Sequence, residues 1–112
     1  MWLSKQVVSS GDEKKLPEIG NITESSNKNG VFIQGKREYR NIPNVLPFGI
    51  ISVPTVGEKA IISPTEFGYV NSGVIKENQD LSPGEVMLYS AGGASIVLKN
   101  NGKVLINGKE VG

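Results

Sequence analysis

Residues 84–108 read GEVMLYSAGGASIVLKNNGKVLING. Three short segments with an alternating strand pattern are separated by turn residues, and Ile96 and Leu98 recur eight residues later as Val104 and Ile106. Because side chains alternate between the two faces of a strand, six residues are predicted to point the same way: Val86, Leu88, Ile96, Leu98, Val104 and Ile106. The glycines predicted to form the turns are Gly84, Gly92, Gly93, Gly102 and Gly108.

This apolar face has little sequence of its own to cover it. A hairpin or three-stranded sheet alone is marginally stable in water, and full burial of six such side chains would contribute at most ~9–18 kcal/mol per chain. Identical copies around a shared axis would bury the face and cover the strand edges. The pattern therefore predicts a homotrimer with these residues on its axis. The alternative is that they line the inside of one continuous barrel or sandwich within a monomer.

The residues upstream indicate an all-β, OB-like barrel. No sustained helical period is present, and short apolar groups are bounded by Gly, Pro and Asn. Short strands with internal glycines fit a small closed barrel. Strands are predicted over 18–25, 31–34, 39–42, 48–53, 59–63 and 69–75. The predicted domains are an N-terminal arm (1–16), the barrel (17–76), a linker (77–84) and a short trimeric segment (85–112).

The N-terminal arm combines apolar residues with a polar, turn-prone run at 9–15. Its apolar side chains are expected either to dock on a neighbouring subunit or another protein, or to form the first barrel strand: Trp2, Leu3, Val7 and Val8. The first residues are too few and too polar for the apolar core of a signal peptide, so the chain is expected to be made in the cytoplasm and not secreted by that route.

Composition excludes several kinds of chemistry. The 112-residue chain has no Cys, no His and a formal net charge of +1. Disulfides, Cys/His zinc sites and catalysis by histidine are therefore excluded. The carboxylate groups at 12–13, Glu77 and Asp80 lie in linker-like stretches and are expected to be solvated. No catalytic residue, metal site or cofactor is predicted, and the chain is not expected to be an enzyme.

One basic cluster, KREYR at residues 36–40, supports an alternative function. Lys36, Arg37 and Arg40 surround Tyr39, and Phe32 lies on the neighbouring predicted strand. OB folds bind single-stranded nucleic acid with basic grooves and stacking rings, so a module of that kind is the alternative. A solvated hairpin tip is the favoured interpretation, because Glu38 dilutes the charge and the three cations offer few phosphate contacts. No nucleic-acid partner is expected; contact with an anion or a partner protein is the weaker hypothesis for these residues.

A family resemblance adds to this interpretation. Residues 46–58, LPFGIISVPTVGE, resemble a segment of phage baseplate assembly protein V, the central spike of contractile tails of the phage Mu and P2 type. The resemblance continues from residue 68 to 111. There GEVMLY at 84–89 and NGKVLING at 101–108 are similar to the family's transition from barrel to needle. Related spikes occur in pyocin-like bacteriocins and type VI secretion.

The resemblance implies an OB-like barrel followed by a short C-terminal segment of an intertwined triple-stranded β-helix. It implies a homotrimer that caps the tail tube, helps assembly and takes part in penetration of the cell envelope. Its expected partners are the tail-tube or hub protein, other baseplate proteins, a separate tip protein and, transiently, the host envelope. The expected location is the baseplate of a virion or phage-tail-like particle. The iron-binding His-x-His tip of many members is not carried over, because this chain has no His.

Overall fold

A computed structural model describes residues 16–77 and 80–111, and within them the protein is all-β, as predicted. The described residues contain no helix, and so none that is long and apolar enough to span a bilayer. The chain divides into two compact units between Ile75 and Lys76; the sequence predicts that the barrel ends at residue 76. The predicted docking of the arm residues Trp2, Leu3, Val7 and Val8 lies outside the described residues.

The first unit is a five-stranded antiparallel sheet. Its strands are β1 (Glu18–Ser26), β2 (Gly30–Gln34), β3 (Glu38–Ile42), β4 (Lys59–Thr65) and β5 (Gly68–Val74). They lie in the order β3-β2-β1-β4-β5. Alternate side chains along these strands point to one side, where they form the buried core: Ile22, Val31, Ile33, Tyr39, Ile42, Ala60 and Ile62.

The two edge strands of this sheet are joined through a buried asparagine. Asn44, just after β3, forms a parallel bridge with Asn71 on β5. The Asn71 N–H donates to the carbonyl of Pro43, and the Val45 N–H donates to the carbonyl of Asn71, both at 2.9 Å. The Asn71 side-chain amide also donates to Oδ1 of Asn44 at 2.8 Å. The chain leaving β3 is therefore pinned to β5, and the sheet curves so that its edges meet.

The prediction of a strand over residues 48–53 is wrong. Residues 43–58 form an irregular connection between β3 and β4, in which Gly49 has a φ of 93° and the Ile50 N–H donates to the carbonyl of Pro47 at 3.1 Å. The physical reason is local: the left-handed φ of Gly49 and the turn bond from Ile50 to Pro47 interrupt the extended backbone at the start of the run, and Pro54, which has no N–H to donate to a ladder, follows its end.

The second unit is a four-stranded antiparallel meander. Its strands are β6 (Val86–Tyr89), β7 (Ser95–Leu98), β8 (Val104–Ile106) and β9 (Lys109–Val111), in the order β9-β8-β7-β6. Positive φ occurs at four of the turn glycines, Gly84, Gly93, Gly102 and Gly108, while Gly92 lies within the β6–β7 turn. The strand β9 is not predicted by the sequence pattern. Its two-residue turn, Asn107 and Gly108, has φ of 53° and 82°, as a type I′ hairpin requires.

Gly20 offers a stability test of the first unit. A Cβ at this position in β1 would lie 2.7 Å from Cγ2 of Ile33 and 2.8 Å from the carbonyl oxygen of Gln34. We expect Gly20→Ala to lower the free energy of unfolding by about 1–3 kcal/mol, because the backbone of β2 must move. Urea unfolding measures this. Gly92→Ala is the control, because its Cβ would come no closer than 3.9 Å to Ser90 Oγ; a loss there equal to that of Gly20→Ala would contradict the prediction.

Candidate functional site

The strand register of the second unit assembles one continuous apolar surface. Leu98 on β7 lies opposite Val86 on β6 and Val104 on β8, and Ile96 lies opposite Leu88 and Ile106. Directly opposed residues of antiparallel strands share a face. The six residues predicted for the trimer axis therefore form two cross-strand rows on one face of the sheet. We call this surface the apolar face.

The strand β9 extends both rows. Val111 lies opposite Val104, and Lys109 lies opposite Ile106. Among the described residues of these two rows, Lys109 is the one charged residue, and it lies at the sheet edge. The sequence analysis missed Val111 as a member of the face, although the Asn107-Gly108 pair, a strong hairpin signal, was available to find it.

The apolar face is uncovered in the single chain. Five of its six predicted residues are 43% to 51% exposed, and Val104 is half-buried. No described residue of the second unit is buried. The sheet therefore has no buried core of its own.

The opposite face of this sheet has a different character. Its central row consists of Met87, Val97 and Leu105, with Glu110 opposite Leu105 at the sheet edge. Two ion pairs lie on this face: Lys99 Nζ lies 3.4 Å from Glu85 Oε1, and Lys103 Nζ lies 2.9 Å from Glu110 Oε2. Charged pairs favour contact with water over burial against another apolar layer. The two faces thus differ in charge: the ion pairs lie on this face, and the apolar face carries Lys109 alone among the described residues of its two rows.

Glu85 ties the segment before β6 to the β7–β8 turn. Its carboxylate accepts hydrogen bonds from the backbone N–H groups of Asn100 and Ser82, each at 3.1 Å, and from Lys99 Nζ. The Asn100 side-chain amide returns a bond to the carbonyl of Pro83 at 2.9 Å. The backbone donors, first that of Asn100, then that of Ser82, and the Lys99 ammonium lower the pKa of Glu85 from its ordinary value of 4.5.

The hydrogen bonds to the Glu85 carboxylate predict that stability depends on pH. Because the pKa of Glu85 is lower in the folded sheet than in the unfolded chain, its stabilising effect is fully present above pH 4.5 and is lost as the pH falls through the folded pKa. We expect the thermal midpoint of wild type to exceed that of Glu85→Gln at pH 7, and the difference to shrink below pH 4.5. A difference that stays constant from pH 7 to pH 3 would contradict this role.

The basic cluster is folded against aromatic rings of its own unit. The Arg37 guanidinium lies 4.5 Å from the ring centre of Tyr39 and 5.3 Å from that of Tyr69, and the two rings contact each other edge to face. Arg40 lies 5.5 Å from the Phe32 ring centre and pairs with Glu38 at 3.1 Å. The rings that would stack on bases are thus occupied by arginines, and Arg40 is partly neutralised.

Glu18 completes this cluster from β1. The backbone N–H of Lys36 donates to Glu18 Oε1 at 2.8 Å, and the Tyr39 hydroxyl donates to the other oxygen. These two bonds lower the pKa of Glu18, and the bond to the carboxylate raises the pKa of Tyr39. The Glu18 carboxylate thus adds negative charge beside Lys36 and Arg37, which makes the cluster less suited to a polyanion.

The described residues show no grouping that could hold a metal ion. Glu77 and Asp80 are exposed, and the carboxylates at 12–13 lie outside the described residues. Phe48 and Ile51, which the sequence pattern places in a strand, are instead among the most exposed apolar side chains.

Compared with known proteins, the chain matches no family model, and no curated protein or solved structure shows significant similarity to it.

Proposed function

We propose that this chain is a structural spike or hub protein of a contractile-tail baseplate, which forms a homotrimer through the apolar face. One observation carries the proposal: six aliphatic side chains lie in two cross-strand rows on a sheet that buries none of them. A sheet with a continuous apolar face and a charge-paired opposite face is suited to assembly with other copies.

The proposed trimer places three such sheets around one axis with their apolar faces inward. Because these side chains are already about half covered, closing the trimer would add roughly half of the full-burial value, or about 5–9 kcal/mol per chain. Lys109 and the ion pairs Glu85–Lys99 and Lys103–Glu110 would then remain at the edges and on the outside. In the finer form of the proposal, the three chains intertwine as a triple-stranded β-helix.

The first unit supports the same proposal. Its order β3-β2-β1-β4-β5, with the end of β3 joined to β5 by a parallel bridge, is the arrangement expected of a five-stranded OB-like barrel. An OB-like barrel followed by a trimeric rod is what the resemblance of residues 46–58 and 84–108 implies. The proposed role is to cap the tail tube, help baseplate assembly and assist envelope penetration, with tube, baseplate and tip proteins as partners and without catalysis or a cofactor.

Light scattering of the full chain at micromolar concentration tests the assembly. We expect a mass three times that of the 12.0 kDa chain. A stable monomer would remove the basis of the proposal. The baseplate role is tested separately by antibody labelling of contractile particles from the producing bacterium, with label expected at the end of the tube; label along the sheath, or none on particles, would contradict it.

A further inference from the structure

The connection between β3 and β4 carries a second apolar surface. Residues 41–57 contain no Asp, Glu, Lys or Arg, although 21% of the chain is charged. We call residues 43–57, which lie between the strands, the uncharged loop. Six of its apolar side chains are exposed to solvent, with relative exposures of 106% for Phe48 and 89% for Ile51. The full set is Val45, Phe48, Ile50, Ile51, Val53 and Val56.

The uncharged loop is attached to the first unit at both ends. At the start of the loop, the Val45 N–H donates a hydrogen bond to the carbonyl of Asn71. Near its end, the Gly57 N–H donates to the carbonyl of Ile22 at 2.9 Å, and the Ser25 hydroxyl donates to the carbonyl of Pro54. These anchors hold the intervening apolar side chains on a defined backbone, pointing away from the core that the five strands already fill.

The amount of exposed apolar surface indicates an interface. Phe48 and Ile51 are almost fully exposed, and the other four apolar side chains of the loop are about half exposed. Exposed apolar side chains gathered in one segment mark interaction sites more often than single scattered ones do. A surface of this character is expected to be covered in the working form of the protein.

The lack of charge favours one occupant, another copy of this chain. Around a rotation axis, a surface patch lies near its own symmetry copies, so that any charge in it faces a like charge. A patch free of charged residues avoids this repulsion, whereas a surface shaped for a charged partner would carry complementary charges. We propose that the uncharged loop packs against a neighbouring copy in the trimer and forms a second trimer contact, separate from the apolar face. This inference rests on the proposed trimer.

Cysteine labelling tests the inference, because the chain has no native Cys. We propose Phe48→Cys in the full chain, with Phe67→Cys as a matched control, since Phe67 is 97% exposed and lies outside the loop next to Glu66. Maleimide labelling of each is measured in the trimer and again with Leu98→Asp added to give monomers. We expect labelling at position 48 to be at least tenfold slower in the trimer than in the monomer, and labelling at 67 to be unchanged.

Each other result has a distinct meaning. A trimeric mass with fast labelling at position 48 would overturn the second contact but leave the proposed function intact. Slow labelling at 48 in the Leu98→Asp monomer would overturn it too, because the cover would come from within the chain. Equal slowing at 48 and 67, or slowing only when phosphatidylcholine vesicles are added, would also overturn it. A wild-type mass of one chain would overturn both proposals.

Discussion

Leu98→Asp is expected to reduce the mass in solution from that of a trimer to that of a single chain. In the proposed assembly the substitution places three carboxylates around one dry axis, where neither water nor a cation can compensate them. Leu98 is about half exposed in the single chain, so the same carboxylate remains hydrated in the monomer, and the first unit, which holds the buried core, should keep its fold. Light scattering measures the mass, and circular dichroism checks that the β structure of the first unit is retained. Ile106→Asp should have the same effect.

Val97→Asp is the matched control for this prediction. Val97 precedes Leu98 on β7 and lies on the other face of the sheet, across from Met87 and Leu105, on the face that carries the two ion pairs. In the proposed trimer that face is turned outward, so the mass should stay trimeric. If Leu98→Asp leaves the mass unchanged, or if Val97→Asp dissociates the protein equally well, the assignment of the axis to the apolar face is contradicted.

The composition of the apolar face was predictable because it depends on local chain geometry. Alternation with a period of two places Val86 with Leu88, Ile96 with Leu98, and Val104 with Ile106, and short Gly-containing turns align neighbouring strands. The turn glycines are also predictable from the sequence. The fourth strand is not, because the three residues Lys109, Glu110 and Val111 are too few to show a period. The strand β9 forms because the turn at Asn107 and Gly108 brings these residues beside β8.

The error at residues 48–53 has a different cause. An apolar run bounded by Gly and Pro predicts a buried strand, and FGIISV fits that pattern as well as the true strand at 59–65 does. Pattern alone does not distinguish side chains that fill the chain's own core from side chains that are exposed on its surface. The sheet order shows which run is paired: the strand at 59–65 lies between β1 and β5, whereas residues 48–53 belong to no strand.

The polar contacts that join distant segments were also beyond sequence analysis. Asn44 and Asn71 are 27 residues apart, and Glu85 and Asn100 are 15 apart. The surrounding sequence does not predict these hydrogen bonds, because the tertiary fold determines which residues come into contact. Among the residues that the structure describes, Asn71 is the one polar residue that is buried, at 3% exposure. Substituting it is therefore the strongest test of how the edge strands of the first unit are joined.

Asn71→Leu is expected to lower the free energy of unfolding of the first unit by about 2–5 kcal/mol. The substitution keeps the number and branching of the side-chain heavy atoms but removes the amide that donates to Asn44 Oδ1 at 2.8 Å and the oxygen that accepts from the Gly73 N–H at 3.0 Å. Leaving buried partners unsatisfied costs about 1–3 kcal/mol each, a large share of the roughly 5–15 kcal/mol of a small domain. Chemical unfolding measures the loss, and Asn21→Leu on the exposed side of β1 should change it by no more than about 0.5 kcal/mol.

A double-mutant cycle with Asn44→Leu separates the link between the sheet edges from the other bonds of Asn71. If the side-chain bond from Asn71 to Asn44 joins β5 to the chain leaving β3, the two substitutions together should cost less than the sum of their separate effects, by about 0.5–3 kcal/mol. Each single substitution removes the same bond, so the second has less to lose. Strict additivity would show that Asn71 acts through Gly73 alone, and that the backbone bonds to Pro43 and Val45 hold the edges together without help from the side chain.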